Sequence, residues 1–139
     1  MVHSHEEAVR SMIEEGWNSH DPSRLRQHYA TAVSFRSPLA GRTNCLEDVE
    51  RFAAGLFRAF PDAKMNVTRV ISVGSDSFVH FQATGTNTGP LPNGKSATGR
   101  PMRFEGLAHV IIQNGKVTQD WVYYDALGVF RQLGIVPET

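Results

Sequence analysis

The chain has 139 residues, 14 basic and 14 acidic side chains, and one cysteine, Cys45. That length suits one domain, residues 1–139, with a real core. Even charge argues against a nucleic-acid or membrane-surface partner, which needs a basic excess, and one cysteine excludes an intrachain disulfide and fits a reducing compartment. The first residues carry no apolar signal stretch and no run approaches a membrane span, so the expected location is the cytoplasm.

Residues 4–18 are predicted helical. Ser4 followed by Glu7 is a capping-box pattern. Val9, Met12, Ile13 and Trp17 fall at helical spacing and form one apolar stripe. Residues 18–22 break that helix. Asp21 then caps a short helix over 22–29, with Pro22 at its first position and Leu25 and Tyr29 buried. A short strand over 32–36 ends at Ser37-Pro38, and 41–44 is a turn. Asn44 with Glu47 repeats the capping signature and opens a longer helix to Phe60. Its apolar face carries Leu46, Val49, Phe52, Ala53, Leu56, Phe57 and Phe60, and Pro61 stops it.

The remainder reads as β. A strand over 64–73 puts Met65, Val67, Ile71 and Val73 on one side. After a turn at 74–76, a strand over 77–86 places Val79, Phe81 and Ala83 on one side and Phe78, His80, Gln82 and Thr84 on the other. Gly89, Pro90, Pro92, Gly94 and Gly99 make 88–100 a long loop. Asn114-Gly115 between two apolar runs is a strong hairpin signal. With that turn, Gln113 faces Lys116, and an unbroken register sets His109 opposite Asp120. One hairpin face then carries Phe104, Gly106, Ala108, Val110, Ile112, Val117, Gln119, Trp121 and Tyr123. Gly106 and Ala108 leave room beside the two large rings, to be filled by a helix or kept as a pocket. A short helix over 126–133 closes the chain, with Gly134 as its left-handed stop. Helices first, then a curved antiparallel sheet, then a terminal helix is an α+β arrangement. A sheet curved around helices that cannot fill it becomes a cone with an apolar cavity.

Several short stretches carry a resemblance when taken in order: Trp17-Asn18 with His20-Asp21-Pro22, Phe60-Pro61-Asp62, Gly85-Thr86-Asn87-Thr88-Gly89, Thr98-Gly99-Arg100-Pro101, Asn114-Gly115-Lys116-Val117, Trp121, Asp125 and Arg131-Gln132-Leu133-Gly134. Together they resemble the SnoaL-like polyketide cyclases, within the NTF2-like α+β barrels. The resemblance implies a conical barrel with a deep apolar pocket and a homodimer formed through the sheet. It also implies ring closure of an aromatic polyketide by aldol condensation, without cofactor or metal. An acidic residue near the end of the last strand moves the proton. Laid ungapped from the Gln132-Leu133-Gly134 tail, that aspartate falls on Val122, an assisting histidine on Ala108 and a second one on Asp120. The family's frequent His-x-Pro is Arg36-Ser37-Pro38 here, and its Gly-Thr-His is Gly85-Thr86-Asn87. A one-residue bulge would restore some of these matches.

Each candidate residue has a functional and a plain structural account. His109 and Asp120 make a base with its orienting carboxylate, or a cross-strand charge pair on a solvated face worth about 0.2–1 kcal/mol. Asp125 shuttles a proton from a buried position near the rings, or caps the terminal helix. His80 lines the pocket, or is a hydrogen-bonded structural histidine. Arg36 holds an enolate or carboxylate oxygen, or is a surface arginine at a strand end. Trp17, Tyr29, Phe35, Phe57, Trp121 and Tyr123 clasp a flat substrate, or are core aromatics. The histidines lack ligand spacing on one element, apart from His3 and His5 at the terminus, so no metal is expected.

Two functions follow. The first is a cofactor-free enzyme that abstracts a proton beside a carbonyl of a small hydrophobic, polyketide-like molecule, leading to ring closure or isomerisation. Asp120 or Asp125 is the base, with His109 or Arg36 holding the developing charge. The second is a non-catalytic module that binds a small apolar ligand or dimerises. A cofactor-independent polyketide hydroxylase is a variant of the first.

Overall fold

The structure, a computed structural model, describes residues 4–135. His3 lies outside them. The elements are α1 (His5–Ser11), β1 (Tyr29–Ser37), β2 (Gly41–Thr43), α2 (Leu46–Ala59), β3 (Lys64–Val73), β4 (Asp76–Thr86), β5 (Pro101–Gln113), β6 (Lys116–Tyr123) and α3 (Ala126–Leu133). Six strands form one sheet in the order β2-β1-β6-β5-β4-β3. The β1–β6 pair is parallel and the other pairs are antiparallel. The helices and the concave side of this curved, unclosed sheet enclose the core, as expected for an α+β fold.

The Ser4 side chain accepts the Glu7 amide at 3.1 Å and starts α1 as the capping pattern requires. The helix over 4–18 is not uniform. After Ser11 it widens into a π-turn (Met12–Gly16) and tightens into a 3₁₀ turn (Trp17–Ser19). Gly16 allows this close passage: a Cβ there would stand 3.2 Å from Leu25 Cδ2. The stripe still lands inward, with Val9, Met12, Ile13 and Trp17 at most 7% exposed. Asp21 caps Pro22–Gln27, a 3₁₀ helix that stops before Tyr29. Tyr29 opens β1 instead, where it pairs with Val117. The predicted turn at 41–44 is the edge strand β2, because β1 runs on to Ser37 and offers it a partner. Cys45, not Asn44, holds the N-cap of α2 and makes no side-chain cap bond.

Two bulges correct the expected faces. In β3 the register slips between Val67 and Arg69, so Met65, Val67 and Val70 pack on the core while Ile71 and Val73 turn outward, 47% and 67% exposed. In the hairpin, Ile112 faces Val117 as expected, but Ile111 faces Gln119, leaving Thr118 as the extra residue. Side chains alternate, so every later β6 residue changes face. Asp120 comes to lie opposite Val110 and His109 opposite Trp121. The space at Gly106 is also taken. A Cβ on Gly106 would stand 2.5 Å from the Phe81 ring of the neighbouring strand, which fills it.

The long loop is tied down by Asn87, which is fully buried. Its amide nitrogen donates to the Ala59 and Gly89 carbonyls, and its Oδ1 accepts from the Thr98 amide and hydroxyl. The loop therefore crosses the C-terminal end of α2, beside a second apolar cluster of Ala59, Phe60, Met102, Val129 and Leu133.

Candidate functional site

The Thr118 bulge creates the candidate site. It swings Asp120 to the concave side, opposite Val110 on β5 and Phe35 on β1, where it is 2% exposed. The Tyr29 hydroxyl donates to Asp120 Oδ2 at 2.5 Å, and Trp17 Nε1 donates to the Tyr29 hydroxyl at 2.8 Å. Three elements distant in sequence thus meet in one chain of hydrogen bonds. Trp17 is itself fixed, stacked on Phe35 at 5.9 Å and 24° and edge-on to Phe57 at 6.2 Å. The other carboxyl oxygen, Asp120 Oδ1, is buried and has no hydrogen-bond partner.

Burial disfavours the charged carboxylate and pushes Asp120 up to about 6, against a smaller opposing pull from the Tyr29 hydroxyl. Tyr29 is pushed above its ordinary range by burial first and the Asp120 charge second. The result is a carboxyl poised near neutral pH in a dry setting, with one oxygen occupied and one vacant. Such a group can take up or release a proton.

The structure disperses the other candidates. His109 does not face Asp120. It sits on the convex side with Nε2 2.6 Å from Asp76 Oδ1, Gln119 against Nδ1 at 3.1 Å, and its ring stacked on Phe78 at 4.7 Å. Asp125 is exposed and caps α3, accepting the Gly128 amide at 2.9 Å. His80 is on the convex side against Thr68, with Glu105 3.9 Å away. Arg36 is exposed there too, and with Arg42 it brackets the Trp121 ring at 5.8 and 5.5 Å. Trp121 donates to the Ser34 hydroxyl at 3.0 Å, and Tyr123 is 47% exposed. Both rings are therefore outside the concave side that an unbroken register assigned them. Trp17, Tyr29 and Phe35 remain with Asp120, and Phe57 packs against Trp17.

Tyr124 is a residue that sequence reasoning missed. It stacks on Phe104 at 4.3 Å, and burial pushes its phenol up to about 12, so it stays a hydrogen-bond donor. A hollow of about 350 Å³ lies beside Asp62, Gly85, Met102 and Gln132, and one of about 690 Å³ lies between α1 and the β5–β6 turn. Asp120 lines neither. On the core itself, Phe52, Leu56, Phe57, Met65, Val67, Phe104 and Val122 keep partial exposure. Among the described residues, no three His, Cys, Asp or Glu side chains are grouped to hold a metal ion, and no helix is long and apolar enough to cross a membrane.

Comparison with solved structures places this architecture. IdmH of Streptomyces antibioticus, described as a candidate polyketide cyclase, superposes with a TM-score of 0.81 at 21% identity, over 95% of this chain and 99% of that one. AclR of Streptomyces galilaeus, described as a candidate hydroxylase, gives 0.80 at 20% identity over 96% and 83%. A protein of Catenulispora acidiphila with a ketosteroid isomerase-like fold, in complex with trimethylamine, gives 0.78 at 17% identity over 94% of each chain. No curated protein sequence matches the chain. The family model for the SnoaL-like polyketide cyclases matches residues 7–133, nearly the whole chain, and the protein belongs to that family.

Proposed function

We propose that the protein is a cofactor-free enzyme of the polyketide cyclase type, with Asp120 as its proton-transfer group. The substrate is a small hydrophobic, polyketide-like molecule carrying a carbonyl. The observation that carries this reading is the vacant, buried Oδ1 of a carboxyl raised to about 6. Oδ1 removes a proton from the carbon beside the carbonyl, and the C–H electron pair becomes the enolate π bond. The enolate carbon then attacks a second carbonyl of the same molecule, forming the C–C bond. The resulting alkoxide takes the proton back from Asp120. Return of the proton to another carbon, without attack, gives isomerisation. The enolate oxygen needs a donor. This reading assigns that role to the Tyr124 phenol rather than to His109 or Arg36, which lie on the other side of the sheet.

The test is exchange of the α-protons of a simple aromatic cyclic ketone, 1-tetralone, whose spontaneous exchange near neutral pH is slow, in deuterated water, followed by NMR. Asp120→Asn is expected to lose about 10²–10⁴-fold of the catalysed rate, and Asp125→Asn is expected to keep it. Equal rates for wild type and Asp120→Asn would remove the reading.

A second reading has its own support. Asp120 and Tyr29 are packed among side chains that are at most 7% exposed, so the Trp17–Tyr29–Asp120 chain also suits a structural network in a ligand-binding module. Under either reading the chain forms a homodimer through the convex side of the sheet. Phe78, Leu107 and Tyr123, 38%, 45% and 47% exposed, are neighbours there on β4, β5 and β6. Leu107→Lys is expected to convert a dimer into a monomer in sedimentation analysis. A wild-type monomer would refute the assembly.

A further inference from the structure

Trp17 sits where the backbone leaves regular helix. The π-turn Met12–Gly16 ends directly on it, and its amide is shared between the Met12 and Ile13 carbonyls. Such π-turns are rare and gather at functional positions. This one delivers a fixed ring. Trp17 is 7% exposed, stacked on Phe35 and edge-on to Tyr29 at 6.5 Å and 85°. An indole has one polar atom, and here Nε1 meets the Tyr29 hydroxyl at 2.8 Å.

The direction of that bond fixes the next one. An indole N–H donates and cannot accept. The Tyr29 hydroxyl accepts from Trp17, so it cannot turn its single proton toward the indole. Among the described residues its other partner is Asp120 Oδ2, at 2.5 Å. The hydroxyl proton therefore points at Oδ2 whether the carboxyl is charged or neutral. A neutral carboxyl whose Oδ2 accepts carries its own proton on Oδ1, the oxygen without a partner. The chain also strengthens along its length, because a hydroxyl that accepts one bond donates a stronger one. Tyr29 carries the mark of this. Burial raises its phenol first, the Asp120 charge and bond raise it further, and the Trp17 bond pulls it back. Burial and the Tyr29 hydroxyl are the two influences on Asp120 itself, so Trp17 reaches that carboxyl through Tyr29.

We propose that Trp17 is a positioning residue: its indole N–H commits the Tyr29 hydroxyl to Asp120 Oδ2 and so confines the transferable proton of Asp120 to Oδ1. The role rests on the reading of Asp120 as the proton-transfer group, but its test needs no turnover. That test is a double-mutant cycle on Trp17 and Tyr29, read as the midpoint of the Asp120 carboxyl ¹³C titration. Trp17→Phe removes the donor. The hydroxyl then donates less strongly and becomes free to accept from a protonated Oδ2, and both changes favour the neutral carboxyl. The midpoint is expected to rise by at least about 0.3, a twofold change in the ionisation constant. In a Tyr29→Phe background the same substitution is expected to leave the midpoint unmoved. An equal rise in both backgrounds would make Trp17 a packing residue and overturn the proposal, as would no rise in either. If Trp17→Phe fails to fold, a benzothiophene analogue of tryptophan at position 17 keeps the ring size, lacks the N–H and is expected to give the same rise. A second readout is the ¹⁵N resonance of Trp17 Nε1. It is expected to titrate with Asp120 in wild type and to lie flat in Tyr29→Phe. A flat trace in wild type, or an undiminished one in Tyr29→Phe, would overturn the proposal equally. The pH–rate profile of proton exchange is expected to move with the midpoint in Trp17→Phe. Full exchange in Asp120→Asn would remove the enzyme reading, and the titration cycle would still decide the role of Trp17.

Discussion

Asp76 and Asp120 stand on opposite sides of one sheet, each with a short hydrogen bond. Asp76 meets His109 at 2.6 Å on the convex side, where its side chain is 44% exposed. Asp120 meets Tyr29 at 2.5 Å on the concave side, 2% exposed. Water screens the first pair, so it contributes no more than an ordinary partly exposed ion pair. The second is buried away from bulk solvent, and that burial lifts the carboxyl to about 6. Residue type does not separate them. What separates them is the side of the sheet, which for Asp120 depends on one extra residue at Thr118.

The contrast can be broken most sharply at Asp120. Its replacement by Asn should lower the catalysed proton-exchange rate by about 10²–10⁴-fold, whereas Asp76→Asn should leave the rate unchanged. A pH-linked effect comes next in size. The unfolded carboxyl titrates near its usual ~3.9 and the folded one near 6. Below both values the group is protonated in either state and adds nothing. Between them it ionises only on unfolding, so stability falls as pH rises. Above 6 the loss is constant, at roughly 3 kcal/mol. Urea unfolding from pH 4 to pH 7 should therefore show wild type losing ground to Asp120→Asn. Parallel curves for the two would contradict the account.

Smaller effects sharpen the packing side of the contrast. Gly106→Ala forces a methyl into the Phe81 ring and should cost about 1–3 kcal/mol, read from the urea midpoint. Asp125→Ala removes the α3 cap and should cost about 1 kcal/mol while leaving proton exchange intact. Breaking the Asp76–His109 pair should cost at most about 1 kcal/mol, and less in high salt.

Much of the fold was legible in the residues. The Ser4 and Asp21 caps, the inward stripe of α1, the strands around Val79 and Phe81, the Asn114-Gly115 turn and the Gly134 stop all follow from local chemistry and are found. The site was less legible, because bulges are decided by pairing between strands and not by either strand alone. Thr118 carries no turn residue to announce it, and its one-residue slip moved Asp120 inward and Trp121 and Tyr123 outward. The bond from Tyr29 to Asp120 joins positions 91 residues apart through parallel pairing of β1 with β6, which no local pattern encodes. Asp125 was legible for the opposite reason. Its place just before an apolar turn fits a helix cap, and it is one.

The direct measurement is a carboxyl ¹³C titration of Asp120 in the wild type and in Tyr29→Phe. The account predicts a wild-type midpoint near 6, moving higher when the hydroxyl that favours the ionised form is removed. A midpoint at the ordinary ~3.9, unmoved by loss of the Tyr29 hydroxyl, would contradict it.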